Sequence, residues 1–165
     1  MDRAVDRRHH TVAIALGSNL GDRYAALTFA IDRLGAILSN LAVSHPIETE
    51  PEGDGLENQP QYLNAAVAGT TSLDARALLD ALMDIEQEFG RERPYRGAPR
   101  TLDLDLILFD DAIVNEPGLH VPHPRFRTRF FVLGPLAEIA AGMRDPVTGI
   151  TVGELLQRLL RDESR

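Results

Sequence analysis

The chain has 165 residues, with 25 acidic and 17 basic side chains, a formal net charge of −8, and no cysteine, tryptophan or lysine, so every basic residue is an arginine. These zeros exclude disulfides, thiolate metal sites, iron–sulfur clusters, a cysteine nucleophile, Schiff-base chemistry and the lysines of Walker and protein-kinase nucleotide sites. The acidic balance argues against nucleic acid and anionic membranes as partners, and no apolar run approaches the ~18 residues of a membrane span.

The expectation is a cytoplasmic, monomeric protein that acts on small molecules. Met1–His10 (MDRAVDRRHH) has no apolar segment of the kind a signal peptide needs and reads as a disordered polar lead-in. Residues 11–165 read as a single domain, long enough to bury a core without staples.

Thr11–Gly17 (TVAIALG) is a short apolar run ending in glycine and reads as a buried strand. Ser18–Gly21 is turn-like. Asp22 can cap a helix whose apolar positions Leu27, Ala30, Ile31, Leu34 and Leu38 recur at helical spacing. A second strand is expected over Leu41–Thr49. Pro46–Pro60 overlaps its end and, with three prolines, two glycines and five carboxylates, is mostly an exposed loop.

Tyr62–Thr70 reads as a third strand. A helix over Asp74–Phe89 carries the stripe Leu78, Leu82, Ile85 and Phe89, and Gly90 reads as its terminator. Arg91–Arg100 is a second irregular loop, and Thr101–Phe109 (TLDLDLILF) alternates with period two as a strand does. Short extended pieces near Ala112–Val114 and Leu119–Val121 precede helices over Arg127–Ala141 and Val152–Arg161. The order is β-α-β-β-α-β with a helical C-terminal extension. It predicts an α+β, ferredoxin-like antiparallel sheet with helices on one face and the other face open to the two long loops.

Asp103 and Asp105 carry the strongest chemical signal. At strand spacing, residues 103, 105, 107 and 109 share one face, and Leu102, Leu104, Leu106 and Leu108 share the other. The leucines must face the core, which leaves the aspartates together on the opposite side, about 7 Å apart along the backbone. Two carboxylates so placed repel unless a cation lies between them, and hard oxygen ligands of this number suit Mg²⁺ together with substrate phosphates. The alternative is a solvated strand face on which aspartate is tolerated.

Arginines flank this pair. Arg91, Arg93, Arg96 and Arg100 precede it, and Arg125, Arg127 and Arg129 follow. From Arg91 to Arg129 there are seven arginines against six carboxylates, a local +1 that leaves −9 for the rest of the chain. Guanidinium forks suit bidentate phosphate contacts, although surface ion pairs are the commoner use of arginine. His123 is held between Pro122 and Pro124. It is open to two readings, a phosphate donor or an exposed structural histidine. His9, His10 and His45 read as structural or merely exposed, and His120 is open.

Tyr62 and Asn64 share a strand face, an aromatic platform beside a carboxamide that suits a flat heterocycle with an amide edge. Decoration of an edge strand would explain the two equally well. Glu86 lies one residue from its helix's core stripe and could pair with Arg93. Gly17–Asp22 (GSNLGD) follows a strand and precedes a helix, but it lacks the Walker lysine and does not match G-x-G-x-x-G, so it reads as a tight turn that could line a site.

Taken together, APRTLDLDLILF, QPQYLNAAV, ALGSNLGD, ETEPEG and LHVPHPRFRTRFFVLGPLAEIA resemble the 6-hydroxymethyl-7,8-dihydropterin pyrophosphokinase family, over about Thr11 to Leu160. The resemblance implies a ferredoxin-like fold with three mobile catalytic loops. It implies transfer of the β,γ-diphosphate of ATP to the pterin hydroxymethyl oxygen, giving AMP, in folate biosynthesis. Asp103 and Asp105 match aspartates that hold two Mg²⁺ ions. Thr49, Glu50, Pro51, Tyr62, Asn64 and Phe131 match pterin contacts.

Arg93, Arg96, Arg100, His123 and Arg129 match ATP contacts, and Arg91, Arg93, Arg100 and Asp105 are the expected catalytic residues. Glu86 matches a helix glutamate of less defined role. The chain departs from the family pattern at Gly97, in a segment where the family commonly has a tryptophan that covers the pterin. Tyr95 is the candidate substitute. Ile47 and Pro124 stand where aromatics are frequent. Two alternatives remain: a Mg-dependent nucleotide-sugar transferase, since D-x-D at a strand end also binds nucleotide diphosphates, and a non-catalytic ferredoxin-like ligand-binding module.

Overall fold

Strand β1 spans His10–Ser18 and starts one residue before the expected boundary. In this computed structural model residues 9–50, 61–91 and 102–163 are described, Arg91 by its backbone alone. The expectations for the lead-in 1–8 and for Pro51, Arg93, Tyr95, Arg96, Gly97 and Arg100 lie outside the described residues.

Helix α1 (Arg23–Leu34) is capped by Asp22, whose carboxylate accepts from the Ala25 amide at 3.0 Å. It is shorter than the apolar spacing predicted. The chain leaves the helix at Gly35, and Leu38 is buried beyond it, where the chain enters β2 (Ser39–Val43). The single strand expected over 41–49 is two pieces, β2 and β3 (Ile47–Thr49), on the same edge of β4 (Tyr62–Thr71). Pro46 has no amide to continue the ladder. Ser44 bridges the gap instead: its N–H donates to Ala66 O and its hydroxyl accepts from Ala66 N, both at 2.9 Å.

Helix α2 (Ala75–Arg91) is capped by Asp74, which accepts from Ala77 N at 2.8 Å. It runs through Gly90 rather than ending there. A glycine most often stops a helix by turning to positive φ, and among the described residues the glycines with positive φ are Gly21, Gly118 and Gly149, while Gly35 ends α1 at φ −61°. Strand β5 (Asp103–Phe109) precedes a small hairpin, β6 (Val114–Glu116) with β7 (Leu119–Val121). Residues 126–128 form a 3₁₀ turn. Helix α3 (Phe130–Ala140) begins only after the extended Arg129, so the long helix expected from Arg127 is a turn and a helix. Helix α4 (Val152–Glu163) ends the description.

The main sheet has the order β2-β4-β1-β5, with β3 also on β4, and every neighbour is antiparallel. This is the expected βαββαβ arrangement. α1 and α2 bury one face over Ile14, Leu16, Leu63, Leu78 and Leu82, each 2% exposed or less. The other face is not wholly open. The helical extension packs there, with Phe126, Leu133, Leu136 and Val152 buried against Ala13, Ala66, Ile107 and Leu108. It leaves uncovered the end of the face that carries Gly17 and Asp103.

A bulge in β5 explains a second departure. Ala13 pairs with Leu108 but Ile14 with Leu106, so Ile107 is an extra residue. Beyond it the alternation switches. Phe109 joins Leu102, Leu104 and Leu106 against α1 and α2, while Leu108 turns to the opposite face beside Ile107. The aspartates precede the bulge and keep the predicted face. Among the described residues no helix is long and apolar enough to cross a membrane.

Candidate active site

Two rows of cross-strand neighbours build the floor of a cavity of about 430 Å³. In the first, Asn64 of β4, Gly17 of β1 and Asp103 of β5 lie side by side. In the second, Ala15 and Asp105 do, and Ala66 on the far side of Ala15 is buried in the core under the helical extension. The middle strand contributes glycine and alanine, so the centre is hollow and polar groups rise on both sides. Tyr62 extends the β4 side, paired with Thr49 of β3. Arg129, Phe131 and Val132, from the start of α3, close one wall.

Every expected pterin contact among the described residues lines this one cavity: Thr49, Glu50, Tyr62, Asn64 and Phe131. Asp103, Asp105 and Arg129 join them. Asn64 is only 5% exposed, and its amide donates to Thr49 Oγ1 at 2.6 Å, which fixes the carboxamide plane. Burial, and then the charge of Asp103, raise the Tyr62 pKa above its ordinary value, so the phenol keeps its proton. The Arg129 guanidinium lies 5.4 Å from the centroid of the Phe131 ring, within cation–π range.

His123 is not part of the wall, but it is close enough to Asp105 and Arg129 to feel both charges. Its backbone N–H bonds to Ile107 O at 3.0 Å, which seats it against the β5 bulge. Burial lowers its pKa. Asp105 opposes the shift, and Arg129, Arg125 and His120 reinforce it. The Arg125 amide donates to Nδ1 at 3.1 Å, so the neutral ring carries its proton on Nε2. His120 lies on the exposed hairpin, against Asn115 at 2.6 Å.

Not every arginine of the downstream cluster serves the site. Arg127 turns away and forks onto the buried Asp145, as a structural pair. Sequence reasoning underrated β1 and missed Arg23. Gly17, Asn19 and Ala15 line the cavity, and a run of small residues at a strand end was the available signal. Arg23 contacts Glu48 and donates to Gln61 O at 2.9 Å, and Gln61 donates to Glu50 at 2.7 Å. These contacts hold together the strand ends that present Thr49 and Tyr62.

A sequence profile of the family described as 7,8-dihydro-6-hydroxymethylpterin-pyrophosphokinase matches residues 13–141. The chain belongs to that family. Among its pyrophosphokinase relatives, the 2-amino-4-hydroxy-6-hydroxymethyldihydropteridine pyrophosphokinase of Bacillus subtilis is 42% identical over 153 residues, covering 92% of this chain and 90% of that one. The Pseudomonas aeruginosa protein of the same name is 41% identical over 137 residues, covering 82% and 83%.

A crystal structure of Plasmodium falciparum HPPK-DHPS, wild type with SDX-DHP, superposes with a TM-score of 0.73 at 13% identity. The match takes in 93% of this chain but 45% of that longer one, and it supports the fold alone.

The donor set bears on the metal such a pyrophosphokinase implies. Asp103 and Asp105 are exposed carboxylates on one face of one strand, and both line the cavity. Among the described residues no cluster of three or more histidine or carboxylate side chains could hold a metal by itself. Two carboxylates with room beside them fit Mg²⁺, which keeps waters and takes its remaining ligands from phosphates, rather than an ion that needs a closed protein cage.

Proposed function

We propose that the chain transfers the β,γ-diphosphate of ATP to the hydroxymethyl oxygen of 6-hydroxymethyl-7,8-dihydropterin, giving AMP and the pterin diphosphate in folate biosynthesis. One observation carries this reading. A platform for a flat heterocycle, Tyr62 with Asn64, and a carboxylate pair, Asp103 with Asp105, face each other across Gly17 in the same cavity.

Asn64, its plane set by Thr49, reads the amide edge of the ring, while Tyr62 and Phe131 contribute its apolar faces. Asp103 and Asp105 would hold the metal, two ions in the complete site, and Mg²⁺ bound there would supply neutralisation of the triphosphate charge. Arg129 and the neutral Nε2–H of His123 add donors for phosphate oxygens, and Arg91, Arg93, Arg96 and Arg100 supply further charge from the preceding segment. The hydroxymethyl oxygen forms its bond to the β-phosphorus as the bond to the α-phosphate oxygen breaks and AMP leaves. The hydroxyl proton passes to a carboxylate oxygen of the pair or to solvent. The work is positioning and charge neutralisation, which dominates phosphoryl-type transfer. Action as a monomer is part of the same proposal.

The test is release of AMP from ATP with and without the pterin. AMP formation that depends on the pterin is expected, with Asp105→Ala inactive but folded. Substantial residual Mg²⁺-dependent AMP release by Asp105→Ala would overturn the assignment.

A further inference from the structure

We propose that Glu86 is a positioning residue for the aspartate pair. From α2 it fixes, through a backbone amide, the end of β5 from which Asp103 and Asp105 project. The proposal rests on the reading of those aspartates as the Mg²⁺ seat and adds a residue that the seat depends on.

The observation is one hydrogen bond. The Leu104 N–H donates to Glu86 Oε2 at 2.7 Å. Leu104 is the residue between the aspartates, and the second residue of its strand. β5 lies at the edge of the sheet and has β1 on one side only. A strand end at an edge, carrying two carboxylates that repel each other, is where a ladder frays. Glu86 supplies the missing neighbour from outside the sheet. Its own position is secured by the preceding residue, because Ile85 is 6% exposed in the core between α2 and the sheet, and Leu82 is 1% exposed one turn earlier.

Glu86 is a partner of the strand rather than a third member of the pair. It does not line the cavity, and among the described residues no group of three such side chains is placed to hold a metal. Its carboxylate meets the Leu104 peptide while the aspartate side chains leave for the cavity face. Fraying of the strand at that peptide would release the backbone on both sides of Leu104, so one acceptor on α2 holds in place the strand end from which both aspartates project. The bond also joins residues 18 apart in sequence, across the segment that carries the loop arginines.

The test compares Glu86→Gln, which keeps an acceptor at the same reach, with Glu86→Ala, which removes it, and Glu86→Asp, which keeps the charge but shortens the reach. Mn²⁺ binding is followed by electron paramagnetic resonance with a non-hydrolysable ATP analogue, and exchange of the Leu104 amide by NMR. Glu86→Ala and Glu86→Asp are expected to speed that exchange and to weaken Mn²⁺ binding by about 10-fold or more, the usual penalty for losing a group that orients a metal ligand. Glu86→Gln should stay close to the parent in both, and pterin KM should change little in any variant while kcat falls in the first two.

Wild-type Mn²⁺ affinity in a folded Glu86→Ala or Glu86→Asp protein would overturn the proposal. So would a Glu86→Gln protein as impaired as Glu86→Ala beside a parent-like Glu86→Asp, since the charge and not the hydrogen bond would then be responsible. If Glu86→Ala does not fold, the contrast between Gln and Asp decides. A parent protein that binds Mn²⁺ and the analogue but forms no AMP with the pterin would count against the proposed reaction alone, because the exchange and Mn²⁺ measurements do not depend on turnover.

Discussion

Gly17 sits where β1 passes beneath the cavity, between Asn64 and Asp103. A Cβ there would lie 3.2 Å from Asn64 Oδ1 and 3.8 Å from Tyr62 Cδ1. The first contact is tight enough that the carboxamide must give way, and its plane is already fixed by Thr49. Gly17→Ala is therefore expected to weaken pterin binding roughly tenfold, about 1.4 kcal/mol, with little change in melting temperature. Calorimetric titration of the pterin checks this, and an unchanged affinity would show that Asn64 does not read the ring. The reasons for seeing some of these residues and not others are physical. Tyr62, Asn64, Asp103 and Asp105 were legible because strand alternation places polar side chains on a known face. Gly17 has no side chain to read, and its importance is a distance to a strand 47 residues further along, which a single sequence does not carry.

Elements carry the next level of organisation. The 3₁₀ turn before α3 brings Arg129 to the cavity while Arg127 faces the protein interior. Closeness in sequence made the two look like one cluster; the turn separates their directions. Arg127 donates through Nη2 to Asp145 Oδ1 at 2.9 Å and through Nε to Oδ2. Asp145 is fully buried and also accepts from Thr148 Oγ1 at 2.8 Å and Val147 N at 3.0 Å. Burial alone would raise its pKa, but these donors outweigh it and hold the carboxyl at about 2, against 3.8 when unfolded.

The folded state therefore favours the ionised form, and the stabilisation is complete above the unfolded value. It declines as pH falls from about 4 towards 2. The shift corresponds to about 2 kcal/mol. Asp145→Asn should lose at least that at neutral pH, and the gap to the parent should narrow as pH drops through this window in urea unfolding. A gap independent of pH would assign the stabilisation to packing.

The bulge in β5 is a similar case. Alternation fixed the face of Asp103 and Asp105, but past Leu106 both faces of the strand are buried, so an apolar run looks the same with or without an inserted residue.

At the scale of the molecule, the sheet has one face closed by α1 and α2 and the other closed for only part of its extent by α3 and α4. The order of strands and helices was readable from periodicity. The packing of the extension on the second face was not, because an apolar helix does not announce which surface it will cover. The part of the second face left uncovered is where the ligands are proposed to bind, so ligand should complete the packing and stabilise the whole chain.

A ligand at a hundred times its dissociation constant adds about 2.7 kcal/mol. For a chain of this size that corresponds to a rise of roughly 5–10 °C in melting temperature. Charge then decides which ligand combinations work. ATP is a polyanion entering an acidic protein, next to two aspartates that repel it. A non-hydrolysable ATP analogue in the presence of EDTA is expected to give a much smaller rise than the same analogue with Mg²⁺, and added pterin should raise the melting temperature again. An equal rise with and without Mg²⁺ would mean that Asp103 and Asp105 are not the metal seat. A full Mg²⁺–analogue rise with no response to pterin would leave the nucleotide assignment standing and remove the pterin from the cavity.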